Sequence, residues 1–228
     1  MRQVAGLKDI DQAITKITED LVDGLGGPPT DLEALARRVD VMDIRLDDTM
    51  LVPGELRELS EGLVVFLSPS LTKTRRRFTL AHELGHAFFE GTGRRPHPSR
   101  ELERLCDKFA AEFLMPRRVF VSYAGRHPDL PRVHELCQRF KTGLLATLGR
   151  VSDIYRYRAI ELWDSKVVWH RRLSVPVLHQ VSDQLKALYG EAGNEVIELY
   201  EGGGYSRWNL EWEPLGGENH RIGLLYPA

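Results

Sequence analysis

The sequence has only two cysteines, Cys106 and Cys137, in 228 residues. That density excludes a disulfide framework, and two free thiols fit a reducing compartment. No apolar run reaches about 18 residues, which excludes a membrane-spanning helix. The opening stretch MRQVAGLKDIDQAITKITED is studded with charge and lacks the apolar centre of a signal peptide. These absences point to the cytoplasm. An excess of one charge is also lacking. The formal net charge is −2, which excludes a whole-chain electrostatic grip on nucleic acid or an anionic membrane. Internal repeats and low-complexity tracts are missing, so repeat architectures are excluded. What is present, 42% hydrophobic and 28% charged residues, is the composition of a globular protein with one good core and room for a smaller appended unit.

Periodicity predicts an α+β chain. Ile10, Ala13, Ile14, Ile17, Leu21 and Val22 recur at helical spacing over 8–22. Thr30, with Glu33 three residues on, predicts a capped short helix to Arg38. VDVMDIRL alternates, GELRELSEG reads as a polar connection, and GLVVFLSPS reads as a buried strand. A long helix is expected from about Thr74, a Gly/Pro-rich loop over 91–100, and a second helix from Arg100 to Leu114, stopped by Met115-Pro116. Two short helices surround KTG within 131–158. After Tyr157 the pattern changes to a hairpin turning at Asp164-Ser165, a helix ending in Gly190, and strands near 195–200, 206–213 and 221–226. The expected organisation is a catalytic unit over 1–118, a helical segment over 119–157 and a small α+β unit over 158–228.

The stretch TLAHELGHAFFE sets His82, Glu83 and His86 among Leu80, Ala81, Leu84, Ala87, Phe88 and Phe89. Polar groups in such a helix need partners. At about 100° per residue, His82 and His86 share one face, about 40° apart, and can ligate one zinc ion. Glu83, about 100° round from His82, reaches a water beside the metal without being a ligand. This HExxH arrangement suits metal-assisted hydrolysis with Glu83 as general base. A third ligand is required, and the following helix offers Glu101, Glu103, Asp107 and Glu112.

FTLAHELGH at 78–86, followed by Glu103, Phe109-Ala110-Ala111 and Leu114-Met115-Pro116, resembles the ImmA/IrrE family of zinc metallopeptidases. Cys106 stands where alanine is usual in that family, and Asp107 where asparagine is usual. The resemblance rests on residues 75–116. It implies a small zincin, an antiparallel sheet backed by the HExxH helix and a ligand helix. It also implies site-specific endopeptidase cleavage of a separate helix-turn-helix transcriptional repressor, inducing genes under stress or DNA damage.

Helix geometry selects the third ligand. With Glu103 at zero, Asp107 falls near 40° and Cys106, Ala110 and Leu114 within about 60°, on the apolar face. Glu101, Lys108 and Glu112 fall near 140–180°, on an expected solvated face. Glu103 is therefore the expected ligand, and Asp107 the acceptor for the free ring N–H of a ligating histidine. Val64, Val65 and Phe66, in the strand preceding the metal helix, are expected at a sheet edge where an extended substrate pairs.

A second function class stays open, a DNA-associated regulator with a silent metal site. Over 117–160, nine Arg and Lys stand against three Asp and Glu, and 131–158 resembles a helix-turn-helix. The second helix begins GLLATLG, however, with few side chains that read base edges, so the stronger reading is a packing or docking element. Arg75–Arg77 read as a largely solvated helix start. Tyr123 and the remaining histidines carry no assigned role, and the four tryptophans read as core and hairpin residues.

Overall fold

Three short strands make the first sheet of the computed structural model, which describes residues 6–91, 100–188, 192–216 and 219–228. They are β1 (Val41–Leu46), β2 (Gly54–Leu59) and β3 (Gly62–Leu67), in the order β1-β3-β2. β3 runs parallel to β1 and antiparallel to β2, so the sheet is mixed and not antiparallel throughout. The stretch expected as a polar connection is β2, paired with β3 over its whole length. Val64, Val65 and Phe66 therefore lie on the central strand, and the edge-strand expectation for them is corrected. The continuous apolar run was the sign: a strand with neighbours on both sides has no solvated edge, and Val64 and Val65 are fully buried.

Helices α1 (Gly6–Val22) and α2 (Leu32–Arg38) precede the sheet; α3 (Lys73–Gly91) and α4 (Arg100–Leu114) follow it. α2 is capped by Asp31, whose carboxylate accepts the N–H groups of Glu33 and Ala34 at 3.0 Å; Thr30 is not the cap. α3 and α4 pack lengthwise through Ala81, Leu84, Ala87, Cys106, Phe109 and Phe113, all almost fully buried. Phe109 meets both Phe88 and Phe89 with ring centroids 5.2 Å apart. The start of α3 is not largely solvated. Arg76 donates to the carbonyls of Pro69 and Leu71, and Arg77 to that of Thr30. The loop expected at 91–100, with His97, and the helix end at Gly190 lie outside the described residues, save Gly91 and Arg100 as helix ends.

Helices α5 (Arg117–Ala124), α6 (Leu130–Phe140) and α7 (Leu144–Tyr155) form the helical segment, with the expected turn at Lys141–Gly143. It is not a unit of its own. The chain divides into two compact units: residues to Tyr123 with Leu136–Gly143, and Ala124–Glu135 with Leu144–Ala228. In the second unit, β4 (Arg158–Trp163), β5 (Lys166–Arg171), β6 (Gly193–Glu201), β7 (Gly204–Pro214) and β8 (His220–Pro227) form an antiparallel sheet ordered β5-β4-β8-β7-β6. Asp164 and Ser165 both take positive φ, the conformation of a tight hairpin turn. Helix α8 (Val175–Ala187) supplies Val177, Val181 and Leu185 to a core with Ile160, Leu210 and Leu225. Trp208 and Trp212 pack on that core, while Trp163 is exposed.

The wheel of α4 needs one correction. Glu112, expected in solvent opposite the ligand face, is buried at 2% exposure. α1 lies against that side of α4, and Thr15 Oγ1 donates to Glu112 Oε1 at 3.2 Å. A wheel cannot foresee a helix arriving from elsewhere in the chain. Glu112→Ala leaves the Thr15 hydroxyl without this acceptor and opens a void, so it should cost about 1–3 kcal/mol of stability. Thermal unfolding would register the loss, and metal stoichiometry would stay unchanged.

Candidate metal centre

α3 presents His82, Glu83 and His86, and α4 presents Glu103 and Asp107. Their convergence depends on Gly85. A Cβ on Gly85 would stand 3.2 Å from the Cα of Cys106 and 3.4 Å from the Cβ of Phe109, tighter than the two helices could hold unmoved. Glycine lets the helices close, as small residues at a helix contact do.

The donor atoms then lie within a few ångströms of one another. His82 Nε2 is 3.1 Å from His86 Nε2 and 3.2 Å from Glu103 Oε2, and His86 Nε2 is 3.5 Å from Glu103 Oε1. Zinc bonds of about 2.0–2.1 Å at tetrahedral angles separate ligand atoms by about 3.3 Å. These distances, with one Glu103 oxygen toward each ring, lie close to that value, so the chemistry and spacing of the three residues fit a zinc ion. On the far side of the first ring, His82 Nδ1 lies 2.9 Å from Asp107 Oδ1. A carboxylate there accepts the Nδ1 proton and leaves the Nε2 lone pair facing Glu103 and His86. Glu103 and Asp107, expected on a buried face, have half or more of their side chains exposed. They sit on the rim of the helix contact, where carboxylates stay solvated until a cation draws on them.

Electrostatics follow the same arrangement. Burial disfavours a charged His82, but the Asp107 hydrogen bond and the carboxylates of Glu83, Asp107 and Glu103 outweigh it and raise its pKa. Burial and the neighbouring His82 lower that of His86. Glu83 is 8% exposed, and burial pushes its carboxyl up to about 7, against the pull of His82 and the Leu56 backbone N–H. Cys106 offers a fourth donor, its Sγ within 4.8 Å of donor nitrogens of both histidines. Of the two, the geometry favours the Glu103 carboxylate over the Cys106 thiol as a further donor beside the histidines. The carboxylate touches both rings, whereas the thiol is fully buried and its pKa is raised by burial and the adjacent carboxylates.

Sequence reasoning did not find the part played by β2. A Cβ on Gly54 would meet Thr79 at 2.4 Å and Glu83 Cγ at 3.4 Å, so the start of β2 runs hard against α3 beside the Glu83 carboxylate. The glycine opening GELREL was the available signal. Of the nine cations counted over 117–160, four are engaged within the protein. Arg150 is buried, Arg132 pairs with Glu135, Arg158 pairs with Glu201, and Arg139 stacks on Tyr123. Of the other histidines, His134 pairs with Glu213 and His220 with Glu161.

Residues 34–152 match the family model described as Peptidase_M78, the IrrE N-terminal-like domain. No curated protein matches the chain. Among solved structures, a Mycobacterium tuberculosis transcriptional regulator is similar in fold, with a TM-score of 0.62 at 19% identity, over 96% of this chain and 76% of that one.

Gly85→Ala should force α3 and α4 apart by a few tenths of an ångström and weaken zinc affinity by about 10–100-fold, with Asp107→Ala falling in the same range. Glu103→Ala should weaken it more than either. Competition against a chromophoric chelator ranks the three, and a Glu103 variant that binds zinc normally would remove Glu103 from the ligand set.

Proposed function

This chain belongs to the IrrE N-terminal-like peptidase family, and we propose from its donor geometry that it is a zinc-dependent endopeptidase. The observation that carries the reading is the set of edges between His82, His86 and Glu103, 3.1–3.5 Å long and suited to a zinc ion. Bound zinc would supply a Lewis acid that polarises a substrate carbonyl and acidifies water.

The chain's own groups do the rest. Asp107 holds His82 in one tautomer. Glu83 is not a ligand, and burial raises its carboxyl's affinity for a proton, which suits it to take one from water and return it to the leaving amine. An extended substrate pairs with the outer edge of β2, which has only β3 as a strand partner and lies beside Glu83.

The substrate is a helix-turn-helix transcriptional repressor, a separate protein whose cleavage induces genes under stress or DNA damage, and the site of action is the cytoplasm. The family resemblance supports this, as does a fold shared with a protein described as a transcriptional regulator. No helix among the described residues is long and apolar enough to cross a membrane. The alternative, a DNA-associated regulator with a silent metal site, is disfavoured by an intact set of donors at His82, His86 and Glu103.

Glu83→Gln should keep zinc and lower cleavage of a repressor encoded beside this chain by roughly 10²–10⁴-fold. Metal analysis and gel-based cleavage of the same preparation test both halves. Cleavage at the normal rate by this variant would rule out the assigned hydrolytic role.

A further inference from the structure

A groove of about 850 Å³ opens in the first unit, and none of the metal-site residues lines it. Its walls are the start of α2, the edge strand β1 and the first turns of α3, with Lys141 at the rim. Ala36, Val41, Leu67 and Leu80 make a buried apolar floor. Along β1, whose register is broken by a bulge between Val41 and Asp43, Met42, Ile44 and Leu46 all line the groove. Met42 is 67% exposed and Leu46 58%, an unusual state for large apolar side chains on one short strand.

The polar lining is unbalanced. Five cations, Arg37, Lys73, Arg76, Arg77 and Lys141, face three acids, Asp31, Glu33 and Asp43. Two of the acids are already engaged, Asp31 in capping α2 and Asp43 with Arg45 at 2.8 Å. Arg76 and Arg77 are anchored through backbone carbonyls, and neither forms an ion pair among the described residues. Each also keeps a buried Nε–H without an acceptor. A half-buried guanidinium with an unmatched donor is costly unless an anion completes it. The first turn of α3, a helix of 19 residues, adds its own positive end at the same place.

We infer that this groove binds an amphipathic organic anion. A phosphate or carboxylate head lies against Arg76, Arg77 and the start of α3, and a hydrocarbon or aromatic body lies along Met42, Ile44 and Leu46. The volume is that of a small-molecule site. The inference does not depend on the peptidase reading, since it uses no residue of the metal centre.

Calorimetric titration of the full chain with octyl phosphate, octanoate, 1-octanol and inorganic phosphate tests it. One of the two charged chains should bind at least about tenfold more tightly than both controls, because head and body each contribute. The tighter of the two identifies the head group. The double variant Lys73→Glu, Lys141→Glu should lose about tenfold in that affinity, and Leu46→Glu a similar factor. Circular dichroism and zinc binding of these variants should match the parent, which separates a lost site from a lost fold. Octanol binding as tightly as the charged chains, no binding by either, or unchanged affinity in the double variant would each overturn the proposal.

Discussion

The contact between α3 and α4 at Gly85 is the constraint on which the site depends. Two histidines four residues apart on one helix are common enough. They become a three-donor site only if a second helix comes close enough for a carboxylate to reach both rings. Here the limit is set by backbone, because the nearest atom to an added Cβ is the Cα of Cys106. Cys106, Ala110 and the phenylalanines of α4 then fill the seam. α4 is braced on its other side by α1, through Thr15 and Glu112. The ligand helix is thus held between two neighbours, and the position of Glu103 follows from packing rather than from the carboxylate's own contacts.

Burial divides the acidic groups by task. Glu83 lies inside, where desolvation raises its affinity for a proton. Glu103 and Asp107 lie on the rim, half or more exposed, with both turned toward the histidine rings. Placing Glu103 as deep as Glu83 would have left two desolvated carboxylates side by side, an arrangement that favours protonating one of them. The mixed sheet serves the same end, since its β2 edge runs against α3 next to the buried carboxylate.

Much of this was legible in the sequence. The helix bounds of α4, the hairpin at Asp164-Ser165 and the His82–Glu83–His86 face follow from local periodicity and turn chemistry, which need no knowledge of neighbours. The cap of α2 at Asp31 rather than Thr30 is a local departure; the others are of one kind. Glu112 reads as solvated because a wheel does not show α1 arriving. The run 62–68 reads as an edge because strand order depends on which hairpin inserts where. GELREL reads as a connection because none of its side chains is fully buried. The helical segment looked self-contained because a linear reading has no means of returning to an earlier unit. Each is a tertiary fact acting on a locally ambiguous stretch.

That return has a consequence for how the protein is made. The chain leaves the first unit after Tyr123, re-enters it at Leu136 and leaves again after Gly143. Phe140, on the re-entrant stretch, packs against Phe120 with ring centroids 5.4 Å apart. A ribosome that has released only the first 123 residues has therefore delivered every donor of the candidate metal centre but not the whole of their supporting core. Delivery of the donor set and completion of the fold are separated in synthesis by the next twenty residues. No single cut in the chain divides the two units cleanly, so a truncation between them removes part of one while trying to isolate the other.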